Sequence, residues 1–120
     1  MDKKPAGTQA ICLVLHPSPV IGTDLSDILV EGGLPRESVV IAAALDAVPS
    51  AFARLVIVDG GMLKKAGPTH LNDFQQQGTP LLVLDGGSMP DLPQSPFIRT
   101  VAQPFRTADV LHALREIGVI

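Results

Sequence analysis

The stretch LVIVDGG at residues 55–61 decides the fold, and LLVLDGG at residues 81–87 repeats its pattern. Each begins with four consecutive apolar residues and ends in Asp-Gly-Gly. An uninterrupted apolar run, rather than an alternation of apolar and polar residues, is typical of a strand that is covered on both faces. Such strands form parallel sheets with helices packed on either side. The stretch therefore predicts an α/β fold.

Three more short apolar runs flank these two along the chain. The five runs are Ala10–Leu15, Val39–Ala43, Leu55–Val58, Leu81–Leu84 and Ile98–Val101. Helical or irregular stretches separate them, which predicts βαβ units and a doubly wound, five-stranded parallel sheet. A length of 120 residues fits a single domain. We expect this domain over residues 10–120, after a disordered tail over residues 1–9.

Helical character varies among the connections between these runs. Pro19 and the pair Gly32-Gly33 delimit a first helix, and Thr107 is predicted to cap the last. The apolar stripes of these two helices are Ile21, Leu25, Ile28 and Leu29, and Val110, Leu111, Leu114 and Ile117. Weaker helices are predicted at about Leu45–Ala53 and Thr69–Gln77, and an exposed loop at Lys64-Lys65.

The connection between the fourth and fifth runs reads GGSMPDLPQSPF and carries Pro90, Pro93 and Pro96. Prolines at this spacing prevent a regular helix, so the fourth helix is predicted to be missing or irregular. Prolines three residues apart also fall on one edge of a polyproline II helix. The segment is therefore either an extended surface loop or a docking surface for an aromatic groove.

Composition and charge exclude several classes of protein. The net charge of -3 argues against a nucleic-acid partner, as does the absence of Tyr and Trp. The single cysteine, Cys12, excludes a disulfide framework and lies in an apolar run, so we expect it to be buried. No run approaches the roughly 20 apolar residues of a membrane helix. These features favour a cytoplasmic protein without a membrane partner.

Polar residues stand where several of the predicted strands end. His16 follows the first run, Asp59 and Asp85 close the third and fourth, and Gln103 follows the fifth. Since the carboxyl ends of parallel strands share one edge of the sheet, these side chains are predicted to flank one crevice, where ligands bind in such folds. The alternative is turn chemistry, in which Asp caps a turn and Gly supplies a positive φ.

Around these residues the chain resembles a CheY-like receiver (response regulator) domain of two-component signal transduction. The resemblance rests on Asp59 closing the third strand, Met62 three residues later, and Gln103-Pro104-Phe105 before the last helix. It covers about Ala10–Ile117 and implies the strand order 2-1-3-4-5, with Asp59 at the phospho-acceptor position. QGTPLLVLDGG, followed by the proline-rich connection, resembles a receiver subgroup with an F-A-T-G-x-Y motif and no regular fourth helix.

Several positions depart from the receiver pattern. His16 and Pro17 replace the acidic pair that holds Mg²⁺, and Asp85 replaces the Ser/Thr that bonds the phosphoryl group. Gln103 replaces the conserved family lysine before proline, and Thr100 stands where receivers commonly have an aromatic residue. These departures imply a pseudo-receiver with little or no Mg²⁺-dependent phosphorylation and no cofactor. A protonated His16, paired with Asp59 or Asp85, could replace the metal.

Three functions follow as expectations. The first is a non-enzymatic pseudo-receiver that acts by contact with signalling proteins, a histidine kinase or an output domain, with a homodimer left open. The second is a receiver still phosphorylated on Asp59 by an unusual route, with the Asp59 carboxylate and the Gly61 carbonyl as residual metal ligands. The third is a small α/β enzyme or nucleotide binder that uses the twin Asp-Gly-Gly loops.

Overall fold

A computed structural model of the chain describes residues 11–44 and 53–120. The predicted disordered tail over residues 1–9 lies outside the described residues. So does the predicted helix at about Leu45–Ala53, apart from its last residue. Ala53 begins a strand instead.

Five parallel strands form one sheet. They are β1 (Ile11–Leu15), β2 (Val39–Ala42), β3 (Ala53–Asp59), β4 (Leu81–Asp85) and β5 (Ile98–Ala102). Their order is β2-β1-β3-β4-β5. All pairings are parallel, so the predicted fold class and strand order are confirmed.

The three central strands are buried on both faces, as their uninterrupted apolar runs predict. Cys12–Leu15, Leu55–Val58 and Leu81–Leu84 are at most 1% exposed. Strand β2 lies at the edge of the sheet and is only partly covered, with Ile41 exposed. The alternate side chains of the central strands feed two apolar clusters, one on each face of the sheet.

Helices cover both faces of the sheet. They are α1 (Pro19–Glu31), α2 (Gly60–Ala66), α3 (Pro68–Gln76) and α4 (Thr107–Ile117), with a 3₁₀ turn at Arg36–Ser38. Helices α1 and α4 pack on one face, and α2 and α3 pack on the other. Within the described parts of the chain, none of these helices has the length and hydrophobicity needed to span a bilayer.

Two local predictions about the helices are wrong. Lys64 and Lys65 are exposed, but they lie in α2 rather than in a loop, because Asp59 caps that helix. Arg106, not Thr107, is the N-cap of α4. The Asp109 carboxylate reaches back and accepts a hydrogen bond from the Arg106 N–H at 3.1 Å, so the first turn does not need a hydroxyl cap.

The connection between β4 and β5 contains no helix, as its prolines predict. Residues 88–95 adopt neither helix nor strand. Met89 and Leu92 pack on the apolar cluster beneath α2 and α3, so the segment covers part of the sheet with two side chains in place of a helix. This arrangement confirms the absence of a regular fourth helix.

Candidate functional site

The carboxyl ends of β1, β3 and β5 bring His16, Asp59 and Gln103 together. The side-chain amide of Gln103 donates a hydrogen bond from Nε2 to Asp59 Oδ1 at 3.3 Å. The imidazole Nε2 of His16 lies 3.7 Å from the same oxygen. Three of the four predicted crevice residues therefore meet at one carboxylate.

Asp59 lies between His16 and Gln103, and it is also the N-cap of α2. Its second oxygen, Oδ2, accepts a hydrogen bond from the Met62 N–H at 2.9 Å and so caps α2. The side chain is 18% exposed. Because Oδ1 faces the side chains of His16 and Gln103 and Oδ2 faces α2, both oxygens are already engaged within the fold.

His16 is fixed in one orientation by its backbone neighbours. Its N–H donates to the Ala42 carbonyl at 3.1 Å, and its Nδ1 accepts from the Ser18 N–H at 3.0 Å. An imidazole nitrogen that accepts a hydrogen bond carries no proton, so the proton of the neutral ring is on Nε2. The side chain is 6% exposed, and Nε2 is buried with no hydrogen-bond partner.

Ser18 is a residue of this site that the sequence reasoning missed. It is the N-cap of α1, and its side-chain Oγ accepts from the Ile21 N–H at 3.4 Å. Because an N–H at the start of a helix has no intrahelical acceptor, the Ser18 N–H is left to bond the ring of His16. The signal that could have found it is the Ser-Pro pair at the start of α1, since serine before proline is a typical helix start.

The side chain of Asp85 bonds within its own turn rather than to Asp59. Its Oδ1 accepts a hydrogen bond from the Gly87 N–H at 2.9 Å, and Gly87 has a φ of +105°. The Asp-Gly-Gly at 85–87 is thus a turn, whereas the same letters at 59–61 begin a helix. The main-chain carbonyl of Asp85 still helps to position Gln103, because it accepts a hydrogen bond from the Gln103 N–H at 2.8 Å.

A cavity of about 440 Å³ opens beside Asp59. Its lining is Pro17, Ala43, Asp59, Gly61, Met62 and Lys65. Pro17 and Gly61, two of the predicted remnant positions, thus border Asp59 without offering it a charge. Thr100 is exposed on β5 and lines a different hollow, so the structure does not bring it to Asp59.

The donors around Asp59 do not fit Mg²⁺. This ion requires an octahedral set of oxygen ligands, usually with carboxylates among them. Here both Asp59 oxygens face N–H donors, His16 offers a protonated Nε2, and Pro17 has no side-chain ligand. Across residues 11–44 and 53–120, no three His, Cys, Asp or Glu side chains are grouped to hold a metal ion.

Burial also affects the pKa of the Cys12 thiol, which lies outside the group around Asp59. Cys12 lies on β1 beneath α1 and is fully buried. Burial raises the pKa of its thiol above the usual value of 9.0, while Arg54 and a hydrogen bond with Ser38 act in the opposite direction. The thiol is therefore kept neutral, as expected of a packing residue rather than a nucleophile.

The chain resembles a solved structure over most of its length. That structure is the signal receiver domain of an HD domain-containing protein from Pseudomonas fluorescens Pf-5, with 25% sequence identity and a TM-score of 0.67. The match covers 91% of this chain and 94% of that chain. No protein-family model and no curated protein matches the sequence. The likeness gives this chain the fold of a signal receiver domain and supports a receiver role.

Proposed function

We propose that this chain is a degenerate receiver domain, which acts through contact with other signalling proteins and undergoes little or no Mg²⁺-dependent phosphorylation. The single observation that carries the proposal is the environment of Asp59. Its carboxylate faces the Gln103 amide, the Met62 N–H and a neutral His16, none of which carries a full positive charge.

Phosphoryl transfer to a carboxylate requires positive charge in the right place. The transferred group spreads negative charge over its oxygens, and catalysis consists almost wholly of positioning and charge neutralisation. At Asp59 an incoming phosphoryl group would approach a carboxylate whose hydrogen-bond donors, the Gln103 amide and the Met62 N–H, carry no charge. The oxygen that forms the bond to phosphorus already accepts a hydrogen bond, either from the Met62 N–H or from the Gln103 amide, and this contact competes with the attack.

Under this proposal the chain is not an enzyme, and its partners are proteins. The two Asp-Gly-Gly loops support this choice, because one carboxylate caps a helix and the other caps a turn. We also propose that it works in the cytoplasm, and that a histidine kinase or an output domain is the partner.

The test is to treat the purified chain with acetyl phosphate and Mg²⁺ and to measure its intact mass. We expect no phosphoryl adduct. The matched control restores the receiver residues through His16→Asp, Pro17→Asp, Asp85→Thr and Gln103→Lys together, and we expect this variant to gain an adduct that Asp59→Asn removes. An adduct on Asp59 in the wild-type chain would overturn the proposal, whether or not the restored variant folds.

A second candidate is phosphorylation of Asp59 without the usual metal site. The observation that favours it is Lys65, which lines the cavity beside Asp59 and could supply the missing cation. A wild-type adduct that is lost in Lys65→Ala but kept in Lys64→Ala would support this second function. Both lysines are exposed residues of α2, so the pair is matched in position and charge.

A further inference from the structure

Burial of the connection between β4 and β5 repeats every three residues. Met89, Leu92 and Ser95 are each half-buried, and the intervening residues are exposed apart from Pro90. A repeat of three is that of a polyproline II helix, which has three edges and needs no internal hydrogen bonds. The segment therefore turns one edge to the protein and leaves two towards solvent.

Three contacts hold the inner edge to the fold. The Met89 sulfur occupies the space where a side chain at Gly60 would stand, and Leu92 packs on the cluster beneath α2 and α3. The Ser95 carbonyl accepts from Arg99 Nη1 at 3.3 Å, and its hydroxyl accepts from the Phe97 N–H at 3.1 Å. The inner edge is thus held against α2, α3 and β5 before any partner arrives.

The outer side presents a row of proline rings. We name Pro90, Pro93 and Pro96 the proline ridge; Pro93 and Pro96 are exposed, and Pro90 is half-buried. Beside it lies a hollow of about 400 Å³, with Pro93 at one side and Thr100 of β5 at the other. Phe97 follows the ridge and is 49% exposed.

We propose that the proline ridge docks into a groove lined by aromatic side chains on a partner protein. Proline rings at this spacing pack on aromatic faces, and a segment that is already held by Met89 and Leu92 loses less conformational entropy on binding than a free chain. The inference is independent of the proposed function, because the ridge makes no use of the state of Asp59.

The partner is a different protein rather than a second copy of this chain. The sequence contains no Tyr or Trp and only four Phe, so a second copy cannot supply a groove of several aromatic rings. Asp91 is the only charged residue between Gly86 and Ile98. A groove with a lysine or arginine at its rim is therefore the complementary partner.

The test is an NMR titration of the ¹⁵N-labelled chain with two purified probes, an SH3 domain and a WW domain, each with a basic residue beside its groove. We expect amide shifts confined to residues 88–100 with at least one probe. Pro93→Ala combined with Pro96→Ala should weaken that binding by about tenfold or more. The control Pro35→Ala changes an exposed proline elsewhere and should bind as the wild type does.

Two results would overturn the proposal. One is the absence of shifts with both probes at millimolar concentration. The other is binding that the Pro93 and Pro96 substitutions leave unchanged while the amide spectrum shows that the variant is folded. Both substituted prolines are exposed, so loss of the fold is not expected.

Discussion

The imidazole of His16 and the carboxylate of Asp59 lie 3.7 Å apart, at the ends of adjacent strands β1 and β3. The separation is longer than a hydrogen bond, and His16 Nε2 has no other partner. Nδ1, on the far side of the ring, accepts from the Ser18 N–H. The ring therefore turns a neutral N–H towards Asp59, at the position where receivers have an acidic residue.

This geometry predicts the tautomer of His16. We expect the proton on Nε2, so ¹⁵N spectra should show an acceptor-type nitrogen at Nδ1 and a protonated nitrogen at Nε2 at neutral pH. His112 serves as an internal control, because it is exposed on α4 and its Nε2 lies 3.4 Å from the Glu116 carboxylate, outside the group around Asp59. A proton on Nδ1 of His16 would contradict the prediction, since Ser18 would then face a second donor.

Asp59→Asn is expected to lower the free energy of unfolding by about 1–2 kcal/mol. The amide has one acceptor oxygen where the carboxylate has two, so its NH₂ group must face either the Met62 N–H or the donors of His16 and Gln103. Asp85→Asn is the matched control, because Asp85 accepts its hydrogen bond from Gly87 in a turn. This substitution should lower the free energy of unfolding by less than about 0.5 kcal/mol. Urea unfolding of both variants measures the difference.

An equal loss in the two aspartate variants would contradict this ranking. It would mean that Asp59 contributes no more than a turn residue, and that its hydrogen bonds to Met62 and Gln103 do not hold the strand ends together. The comparison is informative because both residues precede Gly-Gly at the end of a buried strand.

Gly60 and Gly61 provide a second matched pair. A Cβ at Gly60 would lie 2.8 Å from the Leu84 carbonyl oxygen and 2.9 Å from that of Ser88, and it would also collide with the Met89 sulfur. Backbone oxygens cannot move aside cheaply, so Gly60→Ala should destabilise by about 1–3 kcal/mol despite the better helix propensity of alanine.

At Gly61 the nearest atom to a Cβ is Asp59 Oδ2 at 3.2 Å, and no backbone atom lies within contact distance. Gly61→Ala should therefore change stability by no more than about 0.5 kcal/mol in either direction. Thermal unfolding of the two variants tests the close packing of residues 88–89 on α2. If the Gly60 variant were as stable as the Gly61 variant, that packing would not be rigid.

The buried strands and the missing helix could be predicted because they depend on local sequence pattern. Uninterrupted apolar runs at the central strands can be buried on both faces only in a covered parallel sheet, and prolines 90, 93 and 96 exclude a helix wherever they fall. The meeting of His16, Asp59 and Gln103 also followed from strand ends alone, because parallel strands end at one edge.

The helix starts and caps could not be predicted, because they depend on hydrogen bonds between particular atoms. Nothing in the letters Asp-Gly-Gly distinguishes a helix start at 59–61 from a turn at 85–87; the residues that follow do, since 62–66 continue a helix and the prolines from Pro90 onwards prevent one. The cap of α4 was likewise assigned to the Thr107 hydroxyl, whereas Asp109 supplies the bond to the Arg106 N–H. Both caps join residues three apart, so the choice depends on which side chain takes up a particular N–H rather than on residue type alone.

Cys12 predicts how stability depends on alkaline pH. Burial raises the pKa of its thiol above 9.0, so above that pH the unfolded chain releases the proton while the folded chain retains it. The unfolded state then binds fewer protons than the native state, and the free energy of unfolding falls as pH rises, by at most about 1.4 kcal/mol per pH unit. Below pH 9.0 the same group has no effect on the slope.

Cys12→Ala isolates this contribution. The variant loses some packing at every pH, but its stability should fall less steeply than that of the wild type once the pH exceeds 9.0. No tyrosine titrates in this range, because the chain has none, and the lysines are common to both proteins. Urea unfolding at a series of pH values measures the two slopes. Parallel slopes would mean that the thiol ionises as easily in the folded chain as in the unfolded one, which would contradict its burial between β1 and the helices above it.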